Sequence, residues 1–152
     1  MNKLFGTDGI RGTVNTGNIN GEKFFKFGLA AGTYFKNLTK KKQIAILGST
    51  GSIGTQALEV INEHSDLFEV EVLTANNNSA LLIEQAKKFK PNTVVITNED
   101  KYKEVDAALF DLGIKVFAGA QSLEEVVEGE NIDIVLTALV GYSGLKPTIR
   151  AI

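Results

Sequence analysis

The stretch AILGSTGSIG, residues 45–54, decides how the sequence folds. It overlaps an apolar, β-branched run, QIAILG (43–48), which ends at a glycine as a buried parallel strand does. Two further glycines follow at intervals of three positions, and the residues after them have the pattern of a helix. A strand, a glycine-rich turn and a helix in this order predict the opening unit of a Rossmann-like fold, with the turn as a candidate phosphate cradle.

Each glycine of this turn has a separate physical role. Gly48 permits a tight exit from the strand, and Gly54 lets the helix pack closely on the sheet. Gly51 lets backbone N–H groups approach phosphate oxygens, in a loop that we expect to need φ > 0. The helix N-terminus adds about half a positive charge facing an anion. Thr50 and Ser52 offer hydroxyl donors, and Ser52 is also a candidate helix cap. The alternative is a plain strand–helix turn, since glycine triplets are common.

Strand and helix patterns alternate from residue 43 onward. The predicted strands are residues 43–48, 69–75, 92–97, 114–119 and 133–140, and the predicted helices are 52–63, 79–88, 100–112, 122–128 and one that begins at Leu145. The buried face of the first helix is predicted to hold Ile53, Ala57, Val60 and Ile61. This alternation predicts an α/β fold, a Rossmann-like and mostly parallel sheet with helices on both faces, preceded by a short strand–loop–helix segment.

Composition limits the classes of function. The chain has 152 residues, 43% of them hydrophobic and 22% charged, as in an ordinary globular protein. Its net charge of −2 gives no basic field, so we expect neither a nucleic-acid nor a membrane partner. The sequence has no cysteine, which excludes a disulfide framework, a thiolate metal site and a cysteine nucleophile. The start has no apolar signal-peptide core, which predicts a cytoplasmic protein.

The end of the second strand bears on the choice of cofactor. An NAD-selective fold usually carries Asp or Glu about 20 residues beyond the glycines, where it accepts the ribose hydroxyls. Here that region reads TANNN, residues 74–78, with no acid to repel a 2′-phosphate. No Lys or Arg lies in the turn either, so we expect a modest preference for NADP. The alternative is that Asn76, Asn77 and Asn78 only form a turn.

From about Lys41 to Ile152, the chain resembles the N-terminal NADPH-binding domain of the 1-deoxy-D-xylulose-5-phosphate reductoisomerase family. The matching motifs are GSTGSIG (48–54), ANNN (75–78) and TALVGYSGLKPTIRAI (137–152). This resemblance implies that the following residues contact the cofactor: Thr50, Gly51, Ser52 and Ile53 at the pyrophosphate and adenosine, Asn76, Asn77 and Asn78 at the 2′-phosphate, and Ala138, Val140 and Gly141 along the nicotinamide. Many members have a lysine where Asn77 stands.

The resemblance covers only part of that family's chain. The family enzyme makes 2-C-methyl-D-erythritol 4-phosphate in the non-mevalonate isoprenoid pathway, with NADPH and a divalent metal. Its Asn-Lys-Glu loop, the Asp and Glu ligands of its metal and its substrate lid follow the segment that this sequence matches. We therefore expect no catalytic residue and no metal ligand in this sequence, and a cofactor-binding portion that is truncated at its C-terminal end and does not turn over alone.

The first 40 residues resemble a different family. KLFGTDGIRGTVN (3–15) and FFKFGLAAGTYFKNL (24–38) are similar to the start of phosphoglucosamine mutase, which isomerises glucosamine 6-phosphate and glucosamine 1-phosphate. The residues themselves predict a short strand, a glycine-rich loop with Arg11 available to an anion, and an amphipathic helix whose Phe-rich face could drive self-association. We predict one unit over 1–40 and another over 41–152.

Three functions remain open from the sequence. The first is an NADPH-binding portion of a reductoisomerase-like protein. The second is a non-functional chimeric fusion of two enzyme beginnings, which would bind no cofactor. The third is a remnant of a phosphoglucosamine mutase that acts on phosphosugars.

Overall fold

The computed structural model describes residues 41–152, which form one layered α/β unit. Its strands are β1 (Lys42–Leu47), β2 (Phe68–Ala75), β3 (Thr93–Ile96), β4 (Lys115–Ala118) and β5 (Ile134–Thr137). Its helices are α1 (Ser52–Glu63), α2 (Ser79–Phe89), α3 (Tyr102–Leu109), α4 (Ala120–Glu125) and α5 (Leu145–Arg150). Short 3₁₀ turns flank α3 at Glu99–Lys101 and Phe110–Leu112, follow α4 at Val126–Glu128 and precede α5 at Gly141–Gly144. The predicted strand–loop–helix of the first 40 residues lies outside the described residues.

The five strands form one sheet in the order β4-β3-β2-β1-β5, and every pair is parallel. Strand β1 therefore lies between β2 and β5, although those two strands are far apart in the chain. The sheet grows from β1 toward β4 in one direction and then resumes on the other side of β1 with β5. This reversal is the topological switch point at which open α/β sheets bind ligands, so the fold confirms the Rossmann-like prediction.

Helices cover both faces of the sheet. Alternate residues of a strand point to opposite faces, and Ile44 and Ile46 of β1 join the larger core cluster with residues of α1, α2 and α3, among them Leu58, Leu82 and Val105. On the other face, Leu47 packs in a second cluster with two residues from the α4 region, Leu123 and Val127. The first three crossovers thus run over one face and the fourth over the opposite face, which leaves the carboxyl ends of β1 and β5 open between them.

The predicted buried face of α1 is partly wrong. Ile61 is buried and Ala57 packs against the core, but Ile53 and Val60 are 60% and 49% exposed. The residues that face the sheet are Gly54, Leu58 and Ile61. The helix is rotated because Gly54, which has no side chain, lies directly against the backbone of the preceding loop. The hydrophobic pattern of the side chains cannot predict this packing, because the residue that makes the contact is a glycine.

The predicted last strand, 133–140, is too long. Strand β5 ends at Thr137, and residues 138–140 belong to neither a strand nor a helix. Strand β1, which pairs with β5, ends at the same level, since the final Cα partners are Leu47 and Thr137. Without a neighbour beyond that point, the apolar residues Ala138, Leu139 and Val140 continue as a loop beside the glycine turn.

Candidate functional site

The glycine turn lies at the switch point of the sheet, between the end of β1 and the start of α1. The N–H of Ala138 donates to the carbonyl of Leu47 at 2.8 Å, which holds the segment after β5 against the start of the turn. On the opposite side, the N–H of Gly48 donates to Thr74 Oγ1 at 2.9 Å. The turn is therefore supported by the ends of both strands that flank β1.

Two of the three glycines are required by the geometry. Gly48 has φ +85°, and a Cβ there would lie 2.8 Å from the carbonyl oxygen of Ala138. A Cβ on Gly54 would overlap the carbonyl oxygen of Gly48 and would lie 2.6 Å from the Cα of Ser49. Real Cβ atoms do not come this close to backbone, so only glycine fits at these positions. The tight strand exit and the close helix packing predicted from the sequence are both confirmed.

Gly51 differs from the other two glycines. It is the N-cap residue of α1 with φ −81° and ψ 171°, so the positive φ expected in this loop is found at Gly48 and not at Gly51. A Cβ on Gly51 would make ordinary contact, 3.5 Å from the carbonyl oxygen of Gly48. Its own N–H donates to that oxygen at 3.2 Å. Because Gly51 is extended and exposed, the conformation of the unliganded loop does not require a glycine at this position.

The capping role expected for Ser52 is also wrong. Ser52 is the first residue of α1, and the N-cap, Gly51, has no side chain with which to cap. The first hydrogen bond of the helix runs from the N–H of Thr55 to the carbonyl of Gly51 at 2.9 Å. The N–H groups of Ser52, Ile53 and Gly54 precede that bond, and the first turn of a helix has no intrahelical acceptor for them. The positive end of the helix dipole therefore lies at the glycine turn.

Residues 138–141 form one wall beside the turn. Val140 is 92% exposed, and Gly141 follows with φ +69°. Ser143 Oγ donates to the carbonyl of Val140 at 2.8 Å, which fixes the turn that leads into α5. Ile53 at the start of α1 is also largely exposed. The mouth of the glycine turn thus carries two apolar side chains that the fold of residues 41–152 leaves uncovered.

The asparagine turn after β2 is exposed, and each of its three residues accepts a hydrogen bond from a different group. Asn78 caps α2, because its Oδ1 accepts from the N–H of Leu81 at 3.2 Å. Asn77 Oδ1 accepts from Asn98 Nδ2 at 2.8 Å, and the N–H of Asn98 donates to the carbonyl of Asn76 at 3.0 Å. The turn is therefore tied to the loop after β3. It lies at the same edge of the sheet as the glycine turn, since β1 and β2 are adjacent and parallel.

A carboxylate lies just behind this turn. Glu104 of α3 accepts from Ser79 Oγ at 3.0 Å, and its other oxygen lies 3.2 Å from Lys101 Nζ. The hydrogen bond from Lys101, followed by that from Ser79, lowers the pKa of Glu104. The charged form is thus favoured, and it links the first residue of α2 to α3.

Sequence reasoning missed a buried polar cluster beneath the glycine turn. Ser49, Thr74 and Gln85 are all buried, at 0%, 1% and 6% exposure. Ser49 Oγ donates to Gln85 Oε1 at 2.7 Å, and Gln85 Nε2 donates to the carbonyl of Ser49 at 3.0 Å. The one available signal was a glutamine within the otherwise apolar or small buried stripe of α2, which also holds Leu82 and Ala86.

The described residues offer no metal site. Between residues 41 and 152, no three His, Asp or Glu side chains gather closely enough to hold an ion. These residues do not fit the divalent metal that the reductoisomerase family uses. Within the same range, no helix combines the length and the apolar character needed to cross a bilayer.

Together, the switch-point turn, the two required glycines and the open helix N-terminus define the class of α/β proteins with a dinucleotide-type loop. A family model described as 1-deoxy-D-xylulose 5-phosphate reductoisomerase matches residues 44–152, and the chain belongs to that family. A second model, phosphoglucomutase/phosphomannomutase α/β/α domain I, matches residues 2–63. The two matches overlap at residues 44–63, which form most of β1 and all of α1 in the structure.

Curated relatives agree with this assignment. The 1-deoxy-D-xylulose 5-phosphate reductoisomerase of Phocaeicola vulgatus is 65% identical over 112 residues, and that of Porphyromonas gingivalis is 58% identical over 112 residues. Each match covers 74% of this chain and 29% of the relative. The chain therefore spans less than a third of the length of these relatives.

Solved structures show the same fold. The reductoisomerase of Zymomonas mobilis in complex with NADPH superposes with a TM-score of 0.70 and 33% identity, over 74% of this chain and 29% of that one. A DOX-P reductoisomerase in complex with NADPH, fosmidomycin and magnesium has a TM-score of 0.68 and 31% identity, over 72% of this chain and 27% of that one.

Proposed function

We propose that residues 41–152 form an NADPH-binding module, the cofactor portion of a 1-deoxy-D-xylulose-5-phosphate reductoisomerase-like protein of isoprenoid precursor biosynthesis. The observation that carries this proposal is the glycine turn at the switch point, where a Cβ on Gly48 or Gly54 would collide with backbone. Close backbone packing at this place in the sheet is typical of the glycine loop beneath a dinucleotide pyrophosphate. Such packing brings the N–H groups of α1 to the open edge of the sheet.

Different residues around the turn would contact different parts of the cofactor. The N–H groups of Thr50, Ser52 and Ile53 would bind the pyrophosphate. Gly51 would keep a side chain out of its way, and Gly48 and Gly54 would hold the loop in its tight conformation. NADPH supplies hydride chemistry when it is bound. Val140, with Ala138 and Gly141 on either side of it, provides the surface along which the nicotinamide would lie.

The asparagine turn would receive the 2′-phosphate. Asn77 uses its Oδ1 as an acceptor from Asn98, which leaves its two N–H hydrogens for a ligand. Asn76 is exposed beside it, and Asn78 holds the start of α2. None of the three is charged, so the preference for NADPH over NADH is expected to be severalfold. The same contacts also fit a purely structural turn, and a comparison of the affinities for NADPH and NADH separates these two interpretations.

Titration of the full chain with NADPH, followed by calorimetry or by cofactor fluorescence, tests the module. Saturable binding supports it, and the absence of binding favours the alternative of a non-functional fusion. Full activity needs segments beyond the matched part of the family. We therefore expect no metal-dependent NADPH oxidation with 1-deoxy-D-xylulose 5-phosphate, in protein free of host enzyme.

A second candidate rests on the mutase match over residues 2–63. In this interpretation, residues 1–40 are a phosphoglucosamine mutase-like unit that retains a phosphosugar function, with Arg11 available to the phosphate. An assay with glucosamine 6-phosphate tests it, and we expect no turnover. Self-association through the Phe-rich segment 24–38 and a cytoplasmic location also remain proposals from the sequence.

A further inference from the structure

Gln85 of α2 is buried where an apolar residue would ordinarily lie. Its neighbours on the buried face of the helix are Leu82 and Ala86, and it is 6% exposed. Burying an amide without hydrogen-bond partners costs roughly 1–3 kcal/mol, so a glutamine at such a position needs specific partners. Both of its hydrogen-bond partners belong to Ser49 of the glycine turn, which lies 36 positions earlier in the chain. They are the hydroxyl oxygen Oγ and the backbone carbonyl of that residue.

The two hydrogen bonds fix the orientation of the amide and of the turn together. Gln85 Nε2 donates to the Ser49 carbonyl at 3.0 Å while Gln85 Oε1 accepts from Ser49 Oγ at 2.7 Å. The opposite amide orientation would place Oε1 against the carbonyl oxygen of Ser49, where neither atom can donate. The assignment of the amide is therefore determined by its surroundings.

Thr74 of β2 holds the other polar groups of the same segment. Its Oγ1 accepts from the N–H of Gly48 at 2.9 Å, and its carbonyl accepts from the N–H of Ser49 at 2.8 Å. The backbone N–H groups of Gly48 and Ser49 and the carbonyl of Ser49 are thus all directed into the protein. Among the described residues, every buried side-chain nitrogen and oxygen has a hydrogen-bond partner.

This inward hydrogen bonding sets the direction of the next N–H. The described chain has no cis peptide bond, and in a trans peptide the carbonyl and the following N–H point in opposite directions. Because the carbonyl of Ser49 points inward to Gln85, the N–H of Thr50 points outward. It points away from the buried cluster, toward the open side of the turn.

We propose that Gln85 is a positioning residue for the dinucleotide pyrophosphate, an inference that rests on the proposed function of the module. Gln85 does not touch the ligand. By holding the Ser49 carbonyl inward, it directs the Thr50 N–H at a phosphate oxygen before the ligand binds. A donor oriented in advance binds more tightly because less conformational freedom is lost on binding.

The test compares the full chain with its Gln85→Met variant, which removes both hydrogen-bonding groups at similar volume. We expect NADPH to bind at least about tenfold more weakly to the variant. Adenosine 2′-monophosphate has the 2′-phosphate but no pyrophosphate, and its affinity should change less than about twofold. Ser49→Ala should weaken NADPH binding in the same direction. Equal NADPH affinity in wild type and Gln85→Met, or a parallel loss for both ligands, would overturn the proposal.

Two measurements separate this role from general stability and from the proposed function itself. Val105→Ala, a buried truncation on α3, should lower the unfolding midpoint without changing the affinity for NADPH. Amide hydrogen exchange at Gly48 and Ser49 should be faster in Gln85→Met, with Val94 and Ile96 of β3 unchanged. If wild type binds no NADPH, the proposed function fails. Faster exchange then still supports the role of Gln85 in holding the turn, and unchanged exchange overturns it.

Discussion

Gly48 and Gly54 pack so closely that a Cβ on Gly54 would overlap the carbonyl oxygen of Gly48. This contact joins the end of β1 to the first turn of α1 through backbone alone. It also explains why α1 is rotated from the face that its hydrophobic residues predict, with Gly54 toward the sheet and Ile53 toward solvent. The glycine spacing is thus a packing requirement of the fold as well as a property of the candidate site.

Gly54→Ala should destabilise the fold. The added methyl group meets backbone atoms of Gly48 and Ser49, which cannot move aside as a flexible side chain can. Overpacking of this kind costs about 1–3 kcal/mol, measurable as a lower unfolding midpoint in urea. Gly51→Ala is the matched control, because its methyl group has room and its φ suits alanine. If both variants unfold at the same urea concentration, the close contact at Gly54 is not a constraint.

Gly51→Val should weaken NADPH binding and leave the fold intact. Gly51 is exposed and has φ −81°, so valine fits the unliganded turn without backbone strain. We expect the branched side chain to occupy the space of the pyrophosphate and to reduce affinity by at least ~1.4 kcal/mol, a factor of about ten. Calorimetric titration measures the loss, with Ser65→Ala as a control outside the proposed site. Equal affinity in wild type and Gly51→Val would show that the glycines form only a turn.

Asn77→Lys should increase the preference for NADPH over NADH. A lysine supplies a charge-assisted hydrogen bond to a 2′-phosphate, and such bonds are roughly twice as strong as neutral ones. The ratio of the two dissociation constants should rise, and the gain should shrink as salt screens the new charge. Asn77→Ala is the companion variant and should lower NADPH affinity while leaving NADH affinity unchanged. A gain of the same size for NADH would place the 2′-phosphate elsewhere.

Glu104 should make the folding stability sensitive to acid. Its pKa is lowered in the folded state, first by the hydrogen bond from Lys101 and then by that from Ser79. A lowered folded pKa contributes stability above the pKa of the unfolded chain, and this contribution is lost as the pH falls through the folded pKa. Wild type should therefore be slightly more stable than Glu104→Gln at neutral pH and no more stable in acid. A difference that persists unchanged in acid would contradict this assignment.

The full chain should self-associate more than a chain that begins at Lys41. The Phe-rich pattern of residues 24–38 predicts an apolar helix face, and an uncovered face of that kind promotes association. Sedimentation velocity at several concentrations compares the two chains. If both sediment as monomers, the Phe-rich segment does not drive association.

Much of the fold could be predicted from the sequence because its signals are local. The pattern of residues 52–63 predicts a helix with the bounds of α1, and each predicted strand from residue 43 onward corresponds to a strand of the sheet. The extension of the last strand to Val140 was wrong because apolar character does not reveal where the neighbouring strand stops. Pairing partners 90 positions apart decide that end.

The candidate site was only partly predictable for the same reason. The glycine spacing identified the turn, and the conformations of Gly48 and Gly54 followed from it. Gln85, by contrast, contacts Ser49 across 36 positions of sequence, and no local pattern connects the two. The φ of Gly51 and the missing cap at Ser52 depend on where α1 begins relative to the turn, which is set by tertiary packing.

The place of β1 between β2 and β5 has a consequence for the order in which the unit assembles. Thr74, which holds the turn from one side, is 26 positions from Gly48, whereas β5 pairs with β1 across about 90 positions. Closing the longer loop costs more chain entropy, and distant strand pairings form slowly. Residues 138–141, the wall that follows β5, are therefore expected to pack beside the glycine turn last, both in refolding and during synthesis. A complete cofactor pocket would then exist only after nearly the whole unit has folded, and cofactor binding would report that folding is finished.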